Sequence, residues 1–154
     1  AIDTSLSCSG ELVHAFLEQT YAILKEEDSY FHQVNIHILQ CDEAVRQHRA
    51  IHSAVQLEEY MAHFTLQGGG GTDFRPVFSY VEQLRGQGEL SRLKGLIYFT
   101  DGQGTFPTRP TDYETAFVFL RQPGQPDPEV PPWAMKLMIE PEQLLDSQKG
   151  ETAP

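Results

Sequence analysis

The stretch Ala1-Ile2-Asp3-Thr4-Ser5-Leu6-Ser7-Cys8-Ser9-Gly10 sets the reading of everything after it. Two apolar residues run into an acid, hydroxyls follow at alternate positions, and a helix start comes next. Ala1-Ile2-Asp3 reads as the last residues of a strand whose beginning is missing, which makes the chain a piece of something longer. An Asp and two Ser on one strand-to-helix turn form a small set of hard oxygen ligands. Such a set suits Mg²⁺ or Mn²⁺, which take oxygen donors and keep some water. Asp and Ser are also ordinary turn residues, so the weight of the pattern rests on matching pieces downstream.

Outward from that turn, helices and strands alternate. From Ser9 to about Asp28, Val13, Phe16, Leu17 and Leu24 recur at helical spacing; Ser9 suits the N-cap and Glu11 complements the dipole at that end. Val34 to Cys41 is β-branched and almost continuously apolar, as a strand covered on both faces should be, and Asp42-Glu43 ends it. Ala44 to Val55 reads as an edge strand, and Leu57 to Phe64 as a short helix. Gly68 to Gly71, Thr72 and Asp73 precede a helix whose one face carries Phe74, Val77, Phe78, Val81 and Leu84, with Pro76 in its first turn and Gly86 and Gly88 at its end.

Lys94 to Gly102 is a second buried strand that runs into Asp101, and Thr115 to Leu120 is a third. Trp133 to Ile139 reads as a last short edge strand, and Glu142 to Leu145 as a helical turn. The alternation predicts an α/β fold: a mostly parallel central sheet, helices on both faces, and one antiparallel edge strand. Residues 1–146 form one domain in this reading, and residues 147–154 a disordered tail.

The formal net charge of −11 over 154 residues argues against nucleic acid, which calls for a basic surface. It disfavours an anionic membrane surface for the same reason, and no apolar run is long enough to span a bilayer. Two cysteines, Cys8 and Cys41, are too few for a disulfide framework, so a reducing, cytoplasmic setting is expected.

In open parallel sheets, ligand sites form at the carboxyl ends of strands. Asp3 and Asp101 each end an apolar strand, and Thr72 lies on the loop before a helix. The run D-x-S-x-S at Asp3, Ser5 and Ser7, then G-G-T-D at Gly70 to Asp73, then T-D-G at Thr100 to Gly102 resembles the von Willebrand factor A (VWA) domain. That Rossmann-like fold draws its metal-ion-dependent adhesion site, or MIDAS, from those three loops in that order. Gly68 to Phe78 and Tyr98 to Pro107 are similar to a bacterial VWA-like family found C-terminal to a metallopeptidase-like region, and the likeness extends to about Ile139.

The resemblance implies that Ser5, Ser7 and Thr72 contact the metal through hydroxyls and that Asp3 and Asp101 act directly or through water. Gly70, Gly71, Asp73 and Gly102 would support the loops. It further implies a metal-dependent protein–protein interaction module without catalysis of its own, and an association with MoxR-type AAA+ ATPases. Neutral hydroxyl ligands leave the ion net positive, so an Asp or Glu from a partner protein can complete its shell. One departure stands out: the family usually has Gly where this chain has Leu6.

Two rival readings follow from the same residues. A Mg²⁺-dependent phosphohydrolase would use Asp3 as nucleophile and Asp101 as metal ligand, although Ser5 stands where its second acid belongs. A degenerate, metal-free structural module would make Leu6 the reason for lost metal. His48 and His52, four apart, are not expected to bind zinc, because their segment reads as a strand. His37 is expected to be a hydrogen-bonded core histidine, and His14 to lack a partner. Trp133 reads as a packing anchor, and with Phe106 it is also a candidate for the rim of the metal face.

Overall fold

A computed structural model describes residues 1–5, 10–26, 35–100 and 102–149. The chain runs β1 (Ile2–Asp3), α1 (Gly10–Glu26), β2 (Ile36–Cys41), β3 (Val45–Ile51), α2 (Ala54–Ala62), α3 (Arg75–Gly86), β4 (Gly95–Thr100), β5 (Glu114–Leu120), β6 (Met135–Ile139) and α4 (Pro141–Lys149). The six strands form one sheet in the order β3-β2-β1-β4-β5-β6. Every pairing is parallel except β2 with β3, which is antiparallel at the sheet edge. This is the expected α/β architecture, and it puts the reversal of strand order between β1 and β4.

The side-chain alternation of the strands sorts the core into two layers. Ile2, Ile38, Phe99, Val118 and Leu120 pack with α1, α2 and α4 on one face. Leu39, Cys41, Tyr98, Phe117 and Phe119 pack with α3 on the other. Helix α3 seats Phe74, Val77, Phe78, Val81 and Leu84 there, all buried. Cys41 is itself buried and free of any disulfide, its Sγ within 3.1 Å of the Tyr98 hydroxyl.

Several boundaries differ from the sequence reading. The edge strand stops at Ile51, because Ser53 caps α2: its hydroxyl accepts the Gln56 N–H at 3.2 Å. Val55 is thus an exposed helical residue, and the helix ends at Ala62 rather than Phe64. The expected turn at 142–145 is a nine-residue helix that reaches Lys149, three residues into the stretch assigned to a tail. It persists because Leu144 packs into the core beside α1. Ser9, Val34 and residues 150–154 lie outside the described residues.

Candidate metal site

The reversal between β1 and β4 opens at the carboxyl ends of the strands, and Asp3 stands there. Its side chain is only 1% exposed, so its oxygens need partners. Oδ1 accepts the backbone N–H of Ser5 at 2.8 Å and the Ser5 hydroxyl in a short contact. Oδ2 accepts the hydroxyl of Thr100, the last residue of β4, at 2.5 Å. Ser5 Oγ also lies 2.5 Å from Thr72 Oγ1. One carboxylate and the hydroxyls of Ser5 and Thr72 therefore converge from two separate loops. Ser7 and Asp101 lie outside the described residues.

Thr72 is held there by a tethered glycine loop. Gln40, buried on β2, accepts the Gln67 N–H at 2.7 Å and donates to the Thr65 carbonyl at 3.1 Å. The Thr4 hydroxyl reaches the Gln67 carbonyl at 2.6 Å. Asp42, at the end of β2, accepts the Gly70 N–H on Oδ2 at 3.1 Å and those of Ala44 and Arg46 on Oδ1. Burial by itself would raise the Asp42 carboxyl, but the Arg46 guanidinium and the N–H groups of Gly70 and Ala44 outweigh it and hold the pKa below the usual value.

Gly68 is required in this loop. Its φ is 134°, and a Cβ there would stand 2.2 Å from Thr4 Oγ1. Gly104 plays a similar part on the facing loop, where a Cβ would meet the Phe74 ring at 2.9 Å and Thr72 Cγ2 at 3.0 Å.

Among the supporting residues, Gly70 is tied to Asp42, while a Cβ at Gly71 would stand 3.4 Å from Glu43 Oε2. Gly102 donates its N–H to Thr100 Oγ1 at 3.2 Å, the same hydroxyl that binds Asp3. Asp73 pairs with Arg75. It accepts the Arg75 N–H at 3.0 Å and grips the Arg75 guanidinium with both oxygens, which fixes the start of α3.

The sequence reading missed Thr4, Gln40, Asp42 and Thr100. Asp42 had a signal, being an acid at the end of an apolar strand like Asp3 and Asp101. Gln40 had another, as an amide between Leu39 and Cys41 in an otherwise largely apolar strand. Trp133 and Phe106 pack against the α3 layer, with Trp133 edge-on to Phe78 and Phe106 beside Phe74 and Phe117. His37 is hydrogen-bonded as expected, to His48 at 2.7 Å, and His14 does have a partner, Glu18 at 3.3 Å.

Oxygens at neighbouring corners of an octahedral Mg²⁺ shell stand roughly 3 Å apart. The Ser5 and Thr72 hydroxyls already approach each other on that scale, and the donor set is all hard oxygen, so the residues fit such an ion. The described residues contain no group of three or more His, Cys, Asp or Glu able to hold a metal.

The model of one protein family, described as a VWA-like domain (DUF2201), matches residues 1–140. The chain belongs to that VWA-like family. No curated protein and no solved structure matches it. The family assignment supports a general role in protein–protein interaction, VWA-like domains being in general interaction modules. No helix among the described residues is long and apolar enough to cross a membrane.

Proposed function

We propose that this VWA-like domain is a metal-dependent protein-interaction module, with Mg²⁺ or Mn²⁺ held by Asp3, Ser5, Ser7, Thr72 and Asp101. The supporting observation is that the Ser5 hydroxyl, bound to the buried Asp3 carboxylate, meets the Thr72 hydroxyl at the strand-order reversal. In this reading Asp3 orients the ligands: with both oxygens already accepting hydroxyls, it holds the ring of donors in place. The hydroxyls leave the ion's charge largely uncompensated, so it seeks a carboxylate, and a partner's Asp or Glu supplies one. A MoxR-type AAA+ ATPase is the partner class to try first. The setting is a bacterial cytoplasm, in a longer protein with a metallopeptidase-like region.

The phosphohydrolase reading is less well supported. A nucleophilic carboxylate needs an oxygen free to attack, and Asp3 is buried with both of its oxygens engaged.

Isothermal titration of Mg²⁺ and Mn²⁺ into the chain tests the proposal, beside Thr72→Val and a Ser5→Ala/Ser7→Ala double variant. Single-site binding to the parent, lost in both variants while their thermal unfolding stays cooperative, is the expected result. Partner capture should then fail in EDTA and in Asp101→Ala. No binding even at millimolar metal, with partner capture indifferent to EDTA, would leave the metal-free structural module.

A further inference from the structure

Two imidazoles meet over the antiparallel edge of the sheet. His37 lies on β2 and His48 on β3, and both side chains are half-buried. His37 Nδ1 stands 2.7 Å from His48 Nε2. The ring planes lie within 21° of each other, with the centroids 4.9 Å apart. Rings packed face to face approach no closer than about 3.5 Å. The nitrogen contact is therefore made edge to edge, close to the plane of both rings, where the nitrogen lone pairs lie.

Each ring has its other nitrogen held by the protein. Asn35 Nδ2 donates to the Glu89 carbonyl at 2.9 Å, which leaves Asn35 Oδ1 to accept from His37 Nε2 at 3.1 Å. The proton of a neutral His37 thus sits on Nε2, and its Nδ1 is a bare acceptor aimed at His48. On the other ring, the Tyr80 hydroxyl of α3 lies 3.0 Å from His48 Nδ1. A hydroxyl either donates or accepts, so His48 can carry its proton on Nδ1, facing Tyr80, with Nε2 bare. Metal-holding histidines are built this way: the outer N–H goes to an oxygen, and the inner nitrogen turns to the ion. Burial lowers the pKa of both rings, so protons compete little for those nitrogens near neutral pH. The Glu89 carboxylate acts on both rings in the opposite sense and so favours positive charge between them.

We propose that His37 and His48 form a two-imidazole site for a borderline divalent ion, Zn²⁺ above all, with Asn35 and Tyr80 as positioning residues. No third His, Cys, Asp or Glu among the described residues completes the set, so water fills the remaining positions. Tetrahedral zinc, with Zn–N bonds of about 2.0 Å, sets two ligand nitrogens roughly 3.3 Å apart, so the rings part by about 0.6 Å on binding. No proton leaves the pair: that of His48 moves from Nε2 to Nδ1 and is donated to Tyr80 Oη. The ion joins the edge strand β3 to β2 and stabilises that edge by mass action. Imidazole suits Zn²⁺, Ni²⁺ and Cu²⁺, whereas Mg²⁺ takes oxygen donors. The inference therefore stands independently of the reading at Asp3.

The test titrates Zn²⁺ into the chain by calorimetry, in excess Mg²⁺ so that hard-oxygen ligands are already served. One ion per chain is expected, together with a rise in Tm. His37→Gln and His48→Gln should each weaken binding by more than tenfold, and Tyr80→Phe by about tenfold through loss of the oxygen that orients His48. Thr72→Val should bind Zn²⁺ as the parent does. So should His14→Gln, which removes the other imidazole that lies beside a possible ligand, Glu18 at 3.3 Å. Electron paramagnetic resonance of the Cu²⁺-loaded parent supplies a readout that needs no variant, and coupling to two imidazole nitrogens is expected. Binding that survives His37→Gln or disappears in His14→Gln would overturn the assignment. So would a Cu²⁺ spectrum with one imidazole nitrogen, or no uptake of Zn²⁺ by the parent at millimolar concentration.

Discussion

Gly68→Ala should damage the fold and the candidate site together, and the structure sets the size of the effect. Two costs arise. A φ of 134° lies in a region that side chains rarely occupy, and holding a non-glycine residue there costs about 1–3 kcal/mol. The new Cβ would also sit 2.2 Å from Thr4 Oγ1 and 3.2 Å from Asp42 Oδ2. Thr4 must swing away from the Gln67 carbonyl, which removes a hydrogen bond worth about 1 kcal/mol. The sum is roughly 2–4 kcal/mol, or a fall in Tm of about 5–15 °C for a domain of this size.

Two controls separate the terms. Gly69 has a φ of 121° but nothing within 4 Å of its Cβ position, so Gly69→Ala carries only the backbone cost. Gly86 closes α3 with open space and no positive φ, so Gly86→Ala should stabilise by about 0.5–1 kcal/mol. Urea unfolding monitored by circular dichroism measures all three. Because Gly68 sits on the loop that carries Thr72, Mn²⁺ titration of Gly68→Ala should also show weaker binding than Gly69→Ala. If Gly68→Ala proved no more destabilising than Gly69→Ala, the Thr4 contact would not be holding the loop and the account of its tethering would be wrong.

Other perturbations probe the same framework. Gly104→Ala pushes a methyl to within 2.9 Å of the Phe74 ring and 3.0 Å of Thr72; overpacking there should cost about 1–3 kcal/mol, and crystallography of the variant should show Thr72 displaced. Acid should weaken the β2–β3 edge. His37 and His48 both have lowered pKa values, chiefly from burial and, for His37, also from the charge of His48, with Glu89 partly opposing. The unfolded chain, with imidazoles titrating near about 6.5, then binds more protons than the fold. Stability is therefore full above that pH and is lost as pH falls toward the lowered folded values. The urea midpoint should drop between pH 7.5 and 5.5 in the parent and change less in His48→Gln. In that variant the contacts from His48 to His37 and to the Tyr80 hydroxyl are altered.

The layers were legible because periodicity is a local property. Val77, Phe78, Val81 and Leu84 announce one helical face wherever that helix ends up, and Leu96 to Thr100 announces a strand, of which Tyr98, Phe99 and Thr100 are buried while Ile97 is exposed. Ser53 was also legible as a cap, and giving it that role would have placed Val55 in α2. The length of α4 was less accessible, since its persistence depends on where Leu144 finds apolar neighbours. His37 and His48 illustrate the same limit. Eleven residues apart, their rings lie 4.9 Å centre to centre only because β3 returns antiparallel along β2. Trp133 and Phe106 looked as well suited to a binding rim as to a core, and the packing of α3 on the sheet put them with the core.

By itself the sequence determined the α/β class and the family, and it marked out the candidate site residues: hydroxyl and carboxyl side chains on three separated segments, with glycines where a loop must come close. Those features follow from residue type and spacing, which are fixed before folding. Only the tertiary structure decided what holds them in place. The carboxylate of Asp3 is shared between Ser5 and Thr100 across 97 positions of chain, and the glycine loop hangs from Gln40, Thr4 and Asp42 on two neighbouring strands. The hollow lined by residues of α1, β2, α3 and β4 likewise exists only once the sheet has assembled. Hydrogen bonds and cavities of this kind join residues far apart in sequence, and their partners are chosen by strand order and register, which local pattern does not encode.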